Sequence, residues 1–126
     1  MIYMASKTKH AHLWRALRNN GLPIISTWID EANPGETADF SCLWTRCIAE
    51  SSRADVTIVY AEPGEILKGA FVEVGCALAS GKRVLAVGLP QGLSVLAHPR
   101  VELWDSLNNA IGRARQLSAI ANAELN

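Results

Sequence analysis

The chain predicts an α/β fold, a three-layer sandwich on a parallel sheet of about five strands in the order 2-1-3-4-5. Three observations lead there. Strand-like and helix-like segments alternate from end to end. The run Val56-Thr57-Ile58-Val59-Tyr60 is β-branched and unbroken, the mark of a strand covered on both faces. A length of 126 residues supports one domain with a real core and not two, so 1–126 is read as a single unit.

Ile2 to Ala5 is a short apolar run and the first expected strand. Lys7 to Asn20 carries Leu13, Trp14 and Leu17 at helical spacing, with Asn19-Asn20-Gly21 as the stop signal. Pro23 to Ile29 reads as strand two, and Asp30 to Asp39, holding Asn33-Pro34-Gly35, as a loop. In the second helix Phe40, Leu43, Trp44, Cys47, Ile48 and Ser51 share the expected inner face, and Arg46, Glu50 and Arg53 the outer one. After the strand at Val56–Tyr60, a third helix is expected from Gly69 to Ser80, closed by Gly81. Arg83 to Gly88 is strand four and Val101 to Leu103 a short strand five, separated by a loop with Pro90, Gly92 and Pro99. Asp105 or Ser106 caps a last helix, and the residues from Asn122 onward are expected to fray. Right-handed crossovers then make the sheet parallel, in the flavodoxin-like or Rossmann-like manner.

Twelve basic and twelve acidic residues balance, and the basic ones are scattered. No field draws such a chain to a nucleic-acid polymer or an anionic membrane, and no apolar stretch approaches the ~20 residues that span a bilayer. Cys42, Cys47 and Cys76 are odd in number and share no metal-ligand spacing, so reduced thiols in a cytoplasmic protein are expected. His10, His12 and His98 have no cysteine near them in sequence, so no metal is expected. Neither a Gly-x-Gly-x-x-Gly nor a Walker loop occurs, and no cofactor is expected.

The expected strand order puts its switch point between the first and third strands, so loops near 5–8 and 61–69 flank one crevice. Glu73 is the only acid in the 16 residues from Ile66 to Gly81. It shares a helical stripe with Gly69, Ala70, Cys76, Ala77 and Ser80, small residues that leave room for a small molecule, Gly69 above all. A partly dry carboxylate has a raised pKa unless donors hold it ionised, which suits a nucleophile or general base. The plain alternative is a solvated helix acid. Tyr3, near the end of strand one, is placed to bond that carboxylate or a ligand, or to fill the core. Ala5 and Ser6 follow it at the crevice, with Ser6 either capping the first helix or helping to meet an anion. Trp28 is a stacking surface or a core residue, Asp30 a partner for a sugar hydroxyl or a solvated loop acid. Glu62 and Glu65 are placed to orient a ribose, and Lys68 to meet a phosphate or decorate the surface.

Three groups of segments carry a resemblance. They are Ile2-Tyr3-Met4-Ala5-Ser6, then Ala54-Asp55-Val56 through Tyr60, then Gly69-Ala70-Phe71-Val72-Glu73-Val74-Gly75 followed by Gly81-Lys82-Arg83-Val84. In order and spacing over residues 1–88 the chain resembles the nucleoside 2-deoxyribosyltransferase family, which includes the deoxynucleotide N-glycosidases. The resemblance implies that Glu73 attacks C1′ of a (deoxy)nucleoside or nucleotide to form a covalent sugar–enzyme ester, oriented by Tyr3, before water or a second base takes the sugar. It also implies a homodimer or higher homo-oligomer, because members of the family often complete their sites across a subunit boundary. Two positions depart from the family pattern. Cys47 stands where an aspartate helps hold the base, and Leu67 where an aspartate or serine contacts sugar or phosphate, with Glu65 two residues earlier as a substitute. Those departures keep two alternatives in view: a non-catalytic nucleotide-binding or sensing module, and a TIR-like enzyme that cleaves NAD with a helix glutamate.

Overall fold

The structure, a computed structural model, describes residues 1–125. Its elements in chain order are β1 (Ile2–Ala5), α1 (Ala11–Asn19), α2 (Phe40–Arg53), β2 (Val56–Tyr60), α3 (Ala70–Ala79), β3 (Arg83–Val87), β4 (Val101–Trp104) and α4 (Leu107–Leu125). Short 3-10 turns lie at Thr8–His10, Thr27–Asp30 and Ser94–Ala97. Among the described residues the strands form one parallel sheet in the order β1-β2-β3-β4. Tyr3 stands beside Thr57, and Thr57 beside Val84, in register. Side chains alternate across a strand, so Thr57 and Tyr60 face opposite ways. The Tyr3 side meets α3, while Tyr60 packs edge-on against Trp14 of α1 at 5.5 Å, so helices cover both faces. Ile2, Met4, Ile58, Leu85 and Trp14 are fully buried between the layers.

The expected second strand is the first correction. Pro23 and Ile25 bond Ile2 at 2.8 and 3.0 Å, and Ile24 makes a single parallel bridge to it. The ladder then stops. Met4 N–H donates instead to the Ser26 hydroxyl at 2.7 Å, and Met4 C=O accepts from the Trp28 indole N–H at 2.8 Å. Side chains have replaced a strand's backbone groups, which satisfies the edge of β1 and frees 27–30 to turn. Among the described residues the sheet therefore has four strands, not the five expected in the order 2-1-3-4-5.

The inner face of α2 is the second correction. Phe40 is 66 % exposed and Ile48 44 %, whereas Glu50 is 4 % exposed. Glu50 accepts from Thr27 N–H at 3.0 Å and from the Thr27 hydroxyl at 2.8 Å. A 3-10 turn has N–H groups with no ladder partner, and this carboxylate supplies one. The last helix is capped as expected: Ser106 accepts from Asn109 N–H at 3.1 Å to open α4. Asp39, at the end of the expected loop, accepts from Ser41 and Cys42 N–H to open α2. α4 continues through Leu125, past Asn122, and Asn126 lies outside the described residues. No helix among the described residues is long and apolar enough to cross a membrane.

At the exits of β2 and β3 the backbones touch. Gly88 has φ +78°, and a Cβ there would sit 1.9 Å from the Ala61 carbonyl oxygen. Gly75, inside α3, has nothing within 4 Å of a Cβ position. Gly88→Ala is expected to cost about 3 kcal/mol or to prevent folding, and Gly75→Ala to stabilise by about 0.5–1 kcal/mol, as read by urea denaturation. Equal effects at the two positions would contradict the close approach.

Candidate functional site

β2 leads through loop 61–69 into α3, whose first turn presents Glu73 towards β1. Tyr3 projects from β1 on the same side. Its hydroxyl donates to Glu73 Oε1 at 2.7 Å, a buried bond between residues 70 apart. Glu73 is 7 % exposed and Tyr3 fully buried. Burial pushes the Glu73 carboxyl up to about 7, against the donors Tyr3 and Cys47, with the neighbouring Glu50 adding to the rise. The phenol is pushed well above its ordinary range, first by burial and then by the charge of Glu73, so it stays a donor. The Cys47 thiol rises to about 11, again chiefly by burial, and is a neutral donor at physiological pH. Glu73 is thus a half-ionised carboxylate near neutrality, oriented by a phenol and a thiol.

Above this group lies a cavity of about 310 Å³, the size that takes a small organic ligand. Trp28, Leu43, Trp44, Ile66 and Leu67 supply its apolar lining. Ser6, Lys7 and Thr8 line one wall, Lys68, Gly69 and Ala70 the other, and Glu73 with Cys47 lies between them. A second hollow of about 360 Å³ shares Thr8, Trp28 and Leu43 with it and is walled by loop 31–37. A Cβ on Gly69 would lie 3.0 and 3.3 Å from two ring carbons of Trp44, so the room beside Glu73 is used by that indole as well as by the cavity.

The other residues expected at the site divide. Ser6, Trp28, Cys47 and Gly69 line the cavity. Ser6 does not cap a helix: its hydroxyl donates to Lys7 C=O at 2.9 Å and accepts from the Trp14 indole at 2.8 Å. Ala5 ends β1 fully buried and is not in the lining. Asp30 is a correction. It forms a two-pronged pair with Arg18 at 2.7 and 2.8 Å, outside the cavity, because the turn at 27–30 carries it towards α1. Glu65 is another. It turns away from the cavity and accepts from His10 Nε2 at 2.9–3.0 Å, from Glu62 N–H at 2.8 Å and from Lys9 Nζ at 3.1 Å.

That cluster is what sequence reasoning missed. His10 is 3 % exposed, its ring edge-on to Tyr60 at 5.2 Å, with Glu62 3.8 Å from its other nitrogen. Ligand atoms of His10, Glu62 and Glu65 lie within 4.8 Å of one another, but the Lys9 ammonium already serves Glu65 as its cation. The cluster is a clasp joining the two loops that wall the cavity. Burial alone would raise the Glu65 carboxyl; the Glu62 N–H, His10 and Lys9 outweigh it and hold the group down at about 2. The isolated sequence held one signal for this, acids in the predicted loop 61–69 and a histidine in the first turn of the helix expected to follow the loop near 5–8.

No family model matches the chain, and a search of curated proteins finds no match.

Two stability profiles follow. Glu73 binds its proton more tightly folded than unfolded, so its charge costs stability as pH rises from 4.5 through about 7. Glu73→Gln keeps an acceptor for Tyr3 and removes that cost: relative to the parent it is expected to gain on the order of 1–3 kcal/mol at about pH 8 and little near pH 4.5 in urea titrations. Glu65 has the opposite sign. Its contribution is present above 4.5 and disappears as pH falls to about 2. Glu65→Gln should be less stable at neutrality and should lose the dependence on pH across that acid window.

Proposed function

We propose that the protein cleaves or transfers at the N-glycosidic bond of a (deoxy)nucleoside or nucleotide, with Glu73 as nucleophile. The observation that carries this reading is a buried carboxylate, bonded by a phenol at 2.7 Å, at the inner end of a cavity of about 310 Å³ with indole walls. The ionised Glu73 oxygen attacks C1′ as the C1′–N bond breaks. The bond's electrons leave on the base, which takes a proton from water. A second water, or a second base, then attacks C1′ and releases the carboxylate. Developing positive charge on the sugar ring is offset by the adjacent carboxylate. Tyr3 holds one carboxylate oxygen and leaves the other for carbon. Trp28 and Trp44 offer flat apolar faces to the base.

A second reading is favoured by Cys47. Its thiol, held at about 11, stands where a leaving base would meet an acid, and a thiol is a weak proton donor. On that reading the site binds a nucleotide without turning it over. A TIR-like cleavage of NAD uses the same carboxylate and differs in its leaving group.

We also propose a homodimer or larger homo-oligomer. Phe40 and Ile48 on α2, Ile66 in the loop and Val72 on α3 are 66, 44, 72 and 48 % exposed, and α2 and α3 pack together. Light scattering on a sizing column should give more than one chain per particle; a monomer at working concentration contradicts this part.

The decisive assay follows free base from deoxynucleosides, their monophosphates and NAD. Base release is expected to rise with pH to a plateau above about 7, as Glu73 ionises. Glu73→Gln should remove it, and Tyr3→Phe should lower it by roughly 10- to 1000-fold while shifting the acid limb upward, because a donor to the ionised form is lost. Binding without release on any substrate selects the sensing reading, and nicotinamide as the product selects the NAD reading.

A further inference from the structure

We propose that His10, Glu62 and Glu65 form a binding site for a divalent transition-metal ion of zinc-like chemistry, which locks together the two loops that wall the cavity. The side chains of His10 and Glu65 are only 4 and 7 % exposed. One ligand atom from each of the three residues lies within 4.8 Å of the others. Donors held by one such ion stand roughly 3–4 Å apart, so small side-chain rotations complete the set. His10 Nε2 faces both Glu65 oxygens, at 2.9 and 3.0 Å, and Glu62 Oε1 stands 3.8 Å from Nδ1. An imidazole with two carboxylates is a mixed nitrogen and oxygen set that suits zinc, with a position left for water. The sequence pointed away from a metal because no cysteine lies near the histidines; here a carboxylate 55 residues away does that work.

A cation is already drawn to this spot. Lys9 Nζ lies 3.1 Å from Glu65 Oε2, and its side chain is 62 % exposed. Such a pair contributes little and opens at small cost, because water receives the ammonium as it withdraws. One ammonium against two carboxylates also leaves a negative charge over, which a divalent ion in its place neutralises. Lys9 is therefore a tethered competitor for the ion.

The ligands are oriented before any ion arrives. Glu65 Oε1 accepts from Glu62 N–H at 2.8 Å, and the Tyr60 hydroxyl donates to Glu62 Oε1 at 3.2 Å. The His10 ring is held edge-on by Tyr60 at 5.2 Å and by Trp14 at 6.5 Å. Partners of this kind fix the direction of a ligand and strengthen its hold. His10 ends the turn at Thr8–His10, and both acids belong to loop 61–69, so the ion bridges the two walls. Glu65 points away from the cavity, so the ion braces the site and does not meet the substrate.

Calorimetry with zinc(II) on the full chain, free of any affinity tag, tests the proposal without reference to turnover. One ion per chain is expected, with a Kd of about 10 μM or tighter. Glu62→Gln, at a 45 % exposed side chain, keeps the fold and should weaken binding about tenfold or more. Glu65→Gln should abolish binding; if that protein does not fold, Glu62→Gln decides alone. Lys9→Gln should tighten binding about threefold or more, since the competing cation is gone. Cobalt(II) in place of zinc should broaden the NMR signals of the Tyr60 ring and the Trp14 indole before those of other residues. A Kd above about 1 mM, an affinity indifferent to Glu62→Gln, or a Lys9→Gln protein that binds no better would each overturn the site. So would broadening centred on the exposed Cys42 thiol.

Discussion

One hydrogen bond organises the molecule, the 2.7 Å contact from the Tyr3 hydroxyl to Glu73 Oε1. It can form only if β1 lies directly beside β2, because α3 is hung from β2 and must return across the sheet for its first turn to reach β1. The parallel register of Tyr3 with Thr57 meets that requirement. The bond also decides the chemistry of the carboxylate. Left alone in an apolar pocket, Glu73 would be protonated and inert; with phenol and thiol donors it is balanced near neutrality.

Two buried acids stand close to this point and are resolved in different ways. Glu50 is used up by Thr27, whose N–H and hydroxyl it accepts, so it stabilises the turn that replaces a strand. Glu73 keeps an oxygen in reach of the cavity. A fold under selection for stability alone would have no reason to bury a second acid beside the first, since each raises the other's cost. Sites with work to do often carry such tension.

How much of this was legible depends on how local each cause is. β2 and β4 were read nearly to the residue, because a β-branched run and a turn are local signals. Glu73 was legible because a lone acid on a small-residue helix has no nearby partner to explain it. Residues 23–29 misled because their composition is that of a strand; the Ser26 hydroxyl and Trp28 indole that end the ladder act on Met4, more than twenty positions away. The face of α2 misled because hydropathy ranks Glu50 below Phe40 and Ile48, whereas the deciding fact is a turn N–H in need of an acceptor. Glu65 looked free because its partner His10 is 55 residues distant. Composition reports what a residue prefers, and long-range hydrogen bonds decide where that preference is overruled.

The order of strands along the sheet has a consequence for how the chain is made. β1 is made before β2, its one full strand partner among the described residues, and is separated from it by α1, two turns and α2. Until Val56 to Tyr60 is synthesised, Ile2 to Ala5 is an apolar ribbon whose β2 edge has no partner, the kind of segment that chaperones hold and that neighbouring nascent chains trap. A strand made early is thus completed late, and the phenol it carries meets its carboxylate only once α3 has followed β2.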